Sequence, residues 1–235
     1  MEILTPISYK RVRNAKKPAQ TESYFPISHA ELIDYVRANL KTKGFEIVNE
    51  SYSTNKRAKQ MFGFVSFGEE KSGLRMALAF RNSHDKSLPV GFIAGAQIIA
   101  SSHLILSGDM KQVRKHTSNM GRDLDEKFLS IQETLEPVFS KISKDAKSYR
   151  NKPLSYNKSA EIFGKVLMRE TQVASTNQTT KAIELLKQNQ EYGPENNTVW
   201  DLFCAFTESL QSSHPMFAPS NHLGLTKFIN EEFSI

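Results

Sequence analysis

Between Phe45 and Ile99 the chain alternates short polar connections with stretches that read as strands, and this run limits the fold more than any other feature. Phe45 to Tyr52, Gln60 to Phe67, Leu74 to Asn82 and Leu88 to Ile99 are the four predicted strands. In the third, Leu74, Met76, Leu78 and Phe80 fall on one face, and Arg75, Ala77, Ala79 and Arg81 on the other, the two-residue period of a strand. The connections Ser53–Lys59 and Gly68–Gly73 are too short for a crossover helix, so antiparallel hairpins must join these strands.

Helical patterns flank the run. Ser28 and Glu31 have capping-box spacing, Ile27 can staple onto Leu32, and Leu32, Ile33, Val36 and Leu40 form one stripe ending at Gly44. After Gly121, Leu124, Phe128, Ile131, Leu135, Val138 and Ile142 repeat at four and three residues, the seam of a long helix laid on the sheet. Pro137 removes one backbone donor from that helix and predicts a kink. Beyond Pro153 the pattern predicts helices at Asn157–Glu170, Thr179–Gln190 and Thr198–Gln211, the last with Trp200, Phe203, Cys204, Phe206 and Leu210 inward, then an irregular tail after Pro215.

The expected fold is therefore α+β: an antiparallel sheet of about four strands packed against a long helix, followed by a mostly helical C-terminal part. Residues 1–25 read as a basic arm, 26–150 as the α+β core and 151–235 as helices packed on it. A chain of 235 residues can bury such a core.

Composition narrows the function classes. No stretch approaches the roughly 18 apolar residues of a membrane helix, and no apolar run of a signal peptide opens the chain, so no membrane partner is expected. The one cysteine, Cys204, suits a reducing compartment, and the expected location is the cytoplasm. The formal charge is +6; residues 151–235 hold seven Lys/Arg and nine Asp/Glu, which leaves 24 and 16 in residues 1–150. A basic front half suits a polyanion, and single-stranded nucleic acid is the expected partner, DNA favoured over RNA.

The candidate contacts are Lys56, Arg57 and Lys59 on the first hairpin, Arg75 and Arg81 on one sheet face, Asn82 and Lys86 at a second hairpin tip, and Lys111, Arg114 and Lys115 before the long helix. Phe62, Phe64, Phe67 or Tyr52 offers stacking surface beside them. Asn, Ser and Asp also form turns with no further purpose, so Arg81–Lys86 has a purely structural reading too. His84, Asp85, His103, Asp109 and His116 lack close ligand spacing, and no nucleophile elbow, Walker loop or dinucleotide fingerprint occurs. Neither catalysis nor a cofactor is expected.

Two stretches carry a resemblance. One runs Arg81-Asn82-Ser83-His84-Asp85-Lys86-Ser87, then Gly91-Phe92-Ile93-Ala94-Gly95-Ala96, then Arg114-Lys115-His116-Thr117; the other is Asn197-Thr198-Val199-Trp200-Asp201-Leu202-Phe203-Cys204-Ala205-Phe206-Thr207-Glu208. Together they resemble an uncharacterised family carried by phages, prophages and plasmids. That family has an R-N-S-x-D hairpin before a Gly-rich strand and a late W-D-x-x-x-A-x-T-E helix. Its usual Cys-x-Asn-Gly stretch is missing from Ile99–Ser107. The order helix, antiparallel strands, long helix also resembles the core of single-strand annealing proteins, an analogy of fold alone. The family motifs say almost nothing about chemistry; the basic front half and the fold analogy together give the expectation of an oligomeric single-strand binder in phage or plasmid replication or recombination. The alternative is a counter-defence or host-takeover factor that binds a host protein.

Overall fold

A computed structural model describes residues 5–101, 103–113, 119–168, 173–188, 197–214 and 217–235. Its centre is an antiparallel sheet of seven strands, more than the four expected. The strands are β1 (Thr5–Ile7), β2 (Ile47–Thr54), β3 (Gln60–Lys71), β4 (Leu74–Ser83), β5 (Gly91–Ile98), β6 (Leu104–Leu106) and β7 (Lys111–Gln112). β1 to β6 lie side by side in chain order, and β7 pairs with the start of β5. The strands missed from sequence, β1, β6 and β7, have two or three residues each, too few to display a period.

Seven α-helices complete the described residues: α1 (Tyr9–Arg13), α2 (His29–Thr42), α3 (Met120–Arg150), α4 (Tyr156–Met168), α5 (Thr176–Gln188), α6 (Val199–Ser209) and α7 (Ala218–Phe233). α2 starts on the expected capping box, with the Glu31 amide donating to Ser28 Oγ at 3.0 Å and the Ser28 amide to Glu31 Oε2 at 2.7 Å. Its stripe of Leu32, Ile33, Val36 and Leu40 is fully buried. α3 runs unbroken for 31 residues through Pro137, whose side is exposed. Beyond it the buried positions are Phe139, Ile142, Ala146 and Tyr149, so Phe139 takes the inward place expected of Val138.

Three expectations need correction. Lys10 to Arg13 belong to a short helix whose Val12 is 1% exposed, not to a loose arm, because Val12 completes the cluster under α2. The stretch after Pro215 is not irregular: α7 fills Ala218–Phe233, with Pro219 in its first turn, where the missing N–H costs nothing. Trp200 and Cys204 are half-buried at the margin of the core rather than fully inward like Phe203, Phe206 and Leu210, and the Trp200 ring carries the Arg150 guanidinium at 4.3 Å.

The two sheet faces are covered differently. α2 and the first half of α3 close over Met61, Val65, Phe67, Leu78, Phe80 and Phe92 on the first face. The second half of α3 holds Leu74, Ala96 and Ile98 together with α4 to α7. The C-terminal helices then pass the β6 edge, so that Ala218 at the start of α7 meets the second face at Ala77, Ala79, Ile93, Leu104 and Leu106. Gly95 is required by the close approach of β6: a Cβ there would stand 2.2 Å from the Ile105 carbonyl oxygen.

Candidate nucleic-acid interface

The β2–β3 hairpin forms because Asn55 folds it locally. Asn55 Oδ1 accepts from the Lys59 amide at 2.8 Å and the Gln60 amide at 3.2 Å, and Ala58 turns the chain at φ 51°. Lys56, Arg57 and Lys59 are left exposed at its tip. Among the described residues, none of the three stands within salt-bridge distance of a carboxylate.

Sheet register brings more cations to this end. Gln60, at the start of β3, pairs with Ser83 at the end of β4, and Gly91, at the start of β5, pairs with both Arg81 and Gln112. The hairpin, the Arg81–Lys86 segment and Lys111 therefore lie along one end of the sheet. Lys86 is exposed with its ammonium 4.4 Å from the Tyr24 ring centre, and Lys111 is half-buried. The N-terminus of α2 meets the same end, where His29 Nε2 lies 3.0 Å from the Ala58 carbonyl. Its dipole adds a fixed partial positive charge there.

Several expected contacts are not exposed. Asn82 is fully buried and works as a strut: its amide donates to the Ile27 carbonyl at 2.9 Å and lies 3.1 Å from His29 Nδ1, tying α2 to β4. The His29 and His84 rings stack at 3.8 Å beside it. Ser83 holds the loop closed by accepting from the Leu88 amide at 3.0 Å. Arg81 is 4% exposed, and burial pushes its pKa below the usual arginine range. The Arg81–Ser83 stretch is thus a buried clasp, with Asp85, Lys86 and Ser87 alone forming its outer tip. Arg75 is half-buried at the opposite end of β4, away from the basic end. Arg114 and Lys115 lie outside the described residues.

The aromatics divide by strand parity. Tyr52 and Phe67 are buried under α2 on the first face, whereas Phe62 and Phe64 are half-buried on the second. Among the remaining polar residues, His84 stays with His29, while His103 Nε2 lies 3.0 Å from Thr207 Oγ1 near the β5–β6 turn. His116 lies outside the described residues. Among those described, no three His, Cys, Asp or Glu stand together as a metal-holding group.

Sequence reasoning missed His29, Tyr24, Gln60 and His214, which organise the basic end from a distance. Gln60 Oε1 lies 3.1 Å from His214 Nε2, a pairing 154 positions apart that no local pattern announces.

A family model described as a domain of unknown function (DUF932) matches residues 19–227, nearly the whole of this architecture. The chain belongs to that family. The matched stretch takes in the basic end, the buried clasp and most of α7. No curated protein and no solved structure matches the chain. No helix among the described residues is long and apolar enough to cross a membrane.

Proposed function

We propose that this DUF932 protein binds single-stranded nucleic acid, DNA by preference, across the basic end of its sheet, as an annealing-type factor in replication or recombination. The observation that carries the reading is the convergence of Lys56, Arg57, Lys59, Lys86 and Lys111 at one sheet end, beside a helix N-terminus. Cations with no carboxylate partner have no ion pair to give up, and neutralising phosphates with them releases the cations condensed on the strand. A strand has flexible phosphate spacing, which suits charges offered on hairpins rather than on one rigid helix.

A titration of the purified protein against single- and double-stranded DNA at two salt concentrations tests this. Affinity for single strands should be the higher and should fall steeply with salt. Replacing Lys56, Arg57 and Lys59 together by Ala should weaken binding and lower the slope of log K against log salt by up to about two, at roughly 0.7 per lost phosphate contact. Absence of binding to any nucleic acid at low salt would overturn the reading and point to an acidic protein partner instead.

A further inference from the structure

The second sheet face carries a groove of about 180 Å³ that the basic end does not use. Phe62 and Phe64 form its aromatic ledge, Ser51 and Ser53 one lip, and His103 and His222 part of the far wall. Register makes the first four neighbours, since Ser51 pairs with Phe64 and Ser53 with Phe62.

The two histidines are unusual members of such a wall. They are 1% and 4% exposed, and Nδ1 of each has no hydrogen-bond partner among the described residues. Native structures seldom leave buried polar atoms unpaired without a role. Burial holds both below the usual histidine range, at about 4 for His103 and about 3 for His222. Both rings are neutral near pH 7; His103 spends Nε2 on Thr207 Oγ1 at 3.0 Å and has Nδ1 3.9 Å from Glu208, which leaves His222 Nδ1 as the ring nitrogen open to a new partner. Neutral imidazoles do not select a phosphate, but they match the mixed donor and acceptor edge of a heteroaromatic ring.

Size and position agree. The volume is below the roughly 300 Å³ at which pockets begin to take drug-sized molecules, and suits a single ring system. Phe62 lies three residues along β3 from Lys59, about 10 Å at strand spacing. A phosphate held at the hairpin therefore has a base of the same strand within reach of the ledge.

We propose that this groove receives one nucleobase of the bound strand, stacked on Phe62 and Phe64 with its polar edge toward His222. The inference rests on the strand-binding reading above, and its test separates the two. The full chain is titrated with an oligothymidine and with an abasic strand of equal length, at one salt concentration, and with a strand carrying 2-aminopurine.

The wild-type protein should hold the oligothymidine about tenfold more tightly than the abasic strand, the effect of one stacked base, and should quench 2-aminopurine. Ser51→Ile, which fills the lip from an exposed position, and Phe64→Leu, which removes the ring, should each bring oligothymidine affinity down to the abasic level. Melting temperatures confirm that both variants fold, and if Phe64→Leu does not, Ser51→Ile alone decides. Equal affinity for the two strands would overturn the groove while leaving phosphate binding intact. A base preference that survives in the folded variants would place the bases elsewhere and overturn it too. No binding of either strand would end both proposals.

Discussion

On its first face the sheet meets α2 and α3 through Phe67, Phe80, Phe92 and Phe128, all within 1% of full burial. The second face presents Ser51, Ser53, Ser66, Arg75, Ala77, Ala79, Gly95 and Gln97 along the same strands. Ser66 Oγ donates to Gln97 Oε1 at 2.6 Å across that face. One face serves stability, with large apolar side chains packed under α2 and α3. The other keeps small and polar residues, which leave room between sheet and α7. The difference teaches where to look for function: the open face and the charged end, not the dry one.

The largest effect should come from breaking the dry face. Phe128 packs edge-on against both Tyr35 and Phe92, with ring centres 5.3 Å apart in each pair. Phe128→Ala should cost about 3–5 kcal/mol in a denaturant melt, through lost burial and the cavity left behind. A loss below about 1 kcal/mol would mean that α3 does not hold the sheet as described.

A smaller effect should come from acid, acting beside the open face. His103 and His222 are held neutral in the fold, near 4 and 3, against about 6.5 in the unfolded chain. Burial outweighs the Glu208 carboxylate, which lies 3.9 Å from His103 and favours the proton. Below pH 6.5 the unfolded chain binds protons that the fold refuses, so stability is complete above that value and falls as pH falls toward the folded pKa values. From pH 6.5 to 5 each histidine should remove about 2 kcal/mol. His222→Gln should show a shallower decline over that window; an unchanged slope would mean that its ring is hydrated.

The smallest effect is expected at the basic end. Changing Lys56, Arg57 and Lys59 to Ala should move stability by about half a kcal/mol or less, because exposed side chains have few contacts to lose. A thermal melt of the same variant used for strand titration checks this. A large drop would make the hairpin part of the core and blur the contrast between the regions.

Much of the fold was legible because its causes are local. The Ser28–Glu31 box, the α2 stripe and the parity of β4 each lie within one element and are found as the pattern reads, and the α3 seam follows it from Leu124 to Leu135 before Phe139 replaces Val138. The candidate contacts were legible only as charge. Lys56, Arg57, Lys59 and Lys86 are exposed, but Arg81 and Asn82, read from turn-forming neighbours, are inside. Turn propensity describes backbone, not which side chain the next element will cover. α7 shows the same limit from the other direction: Ala218, His222, Leu225, Ile229 and Phe233 have helical spacing, but Pro215 just before them suggested a stop.

By itself, then, the sequence determined the α+β class, the antiparallel hairpins and the two main helices, since hydrogen-bonding period and apolar period act over a few residues. Tertiary structure alone decided that Asn82 would brace α2, that Gln60 would meet His214 across 154 positions, and that α7 would leave a groove over Phe62 and Phe64. Those arrangements depend on which distant surfaces the packed core brings together, and no local period records that choice.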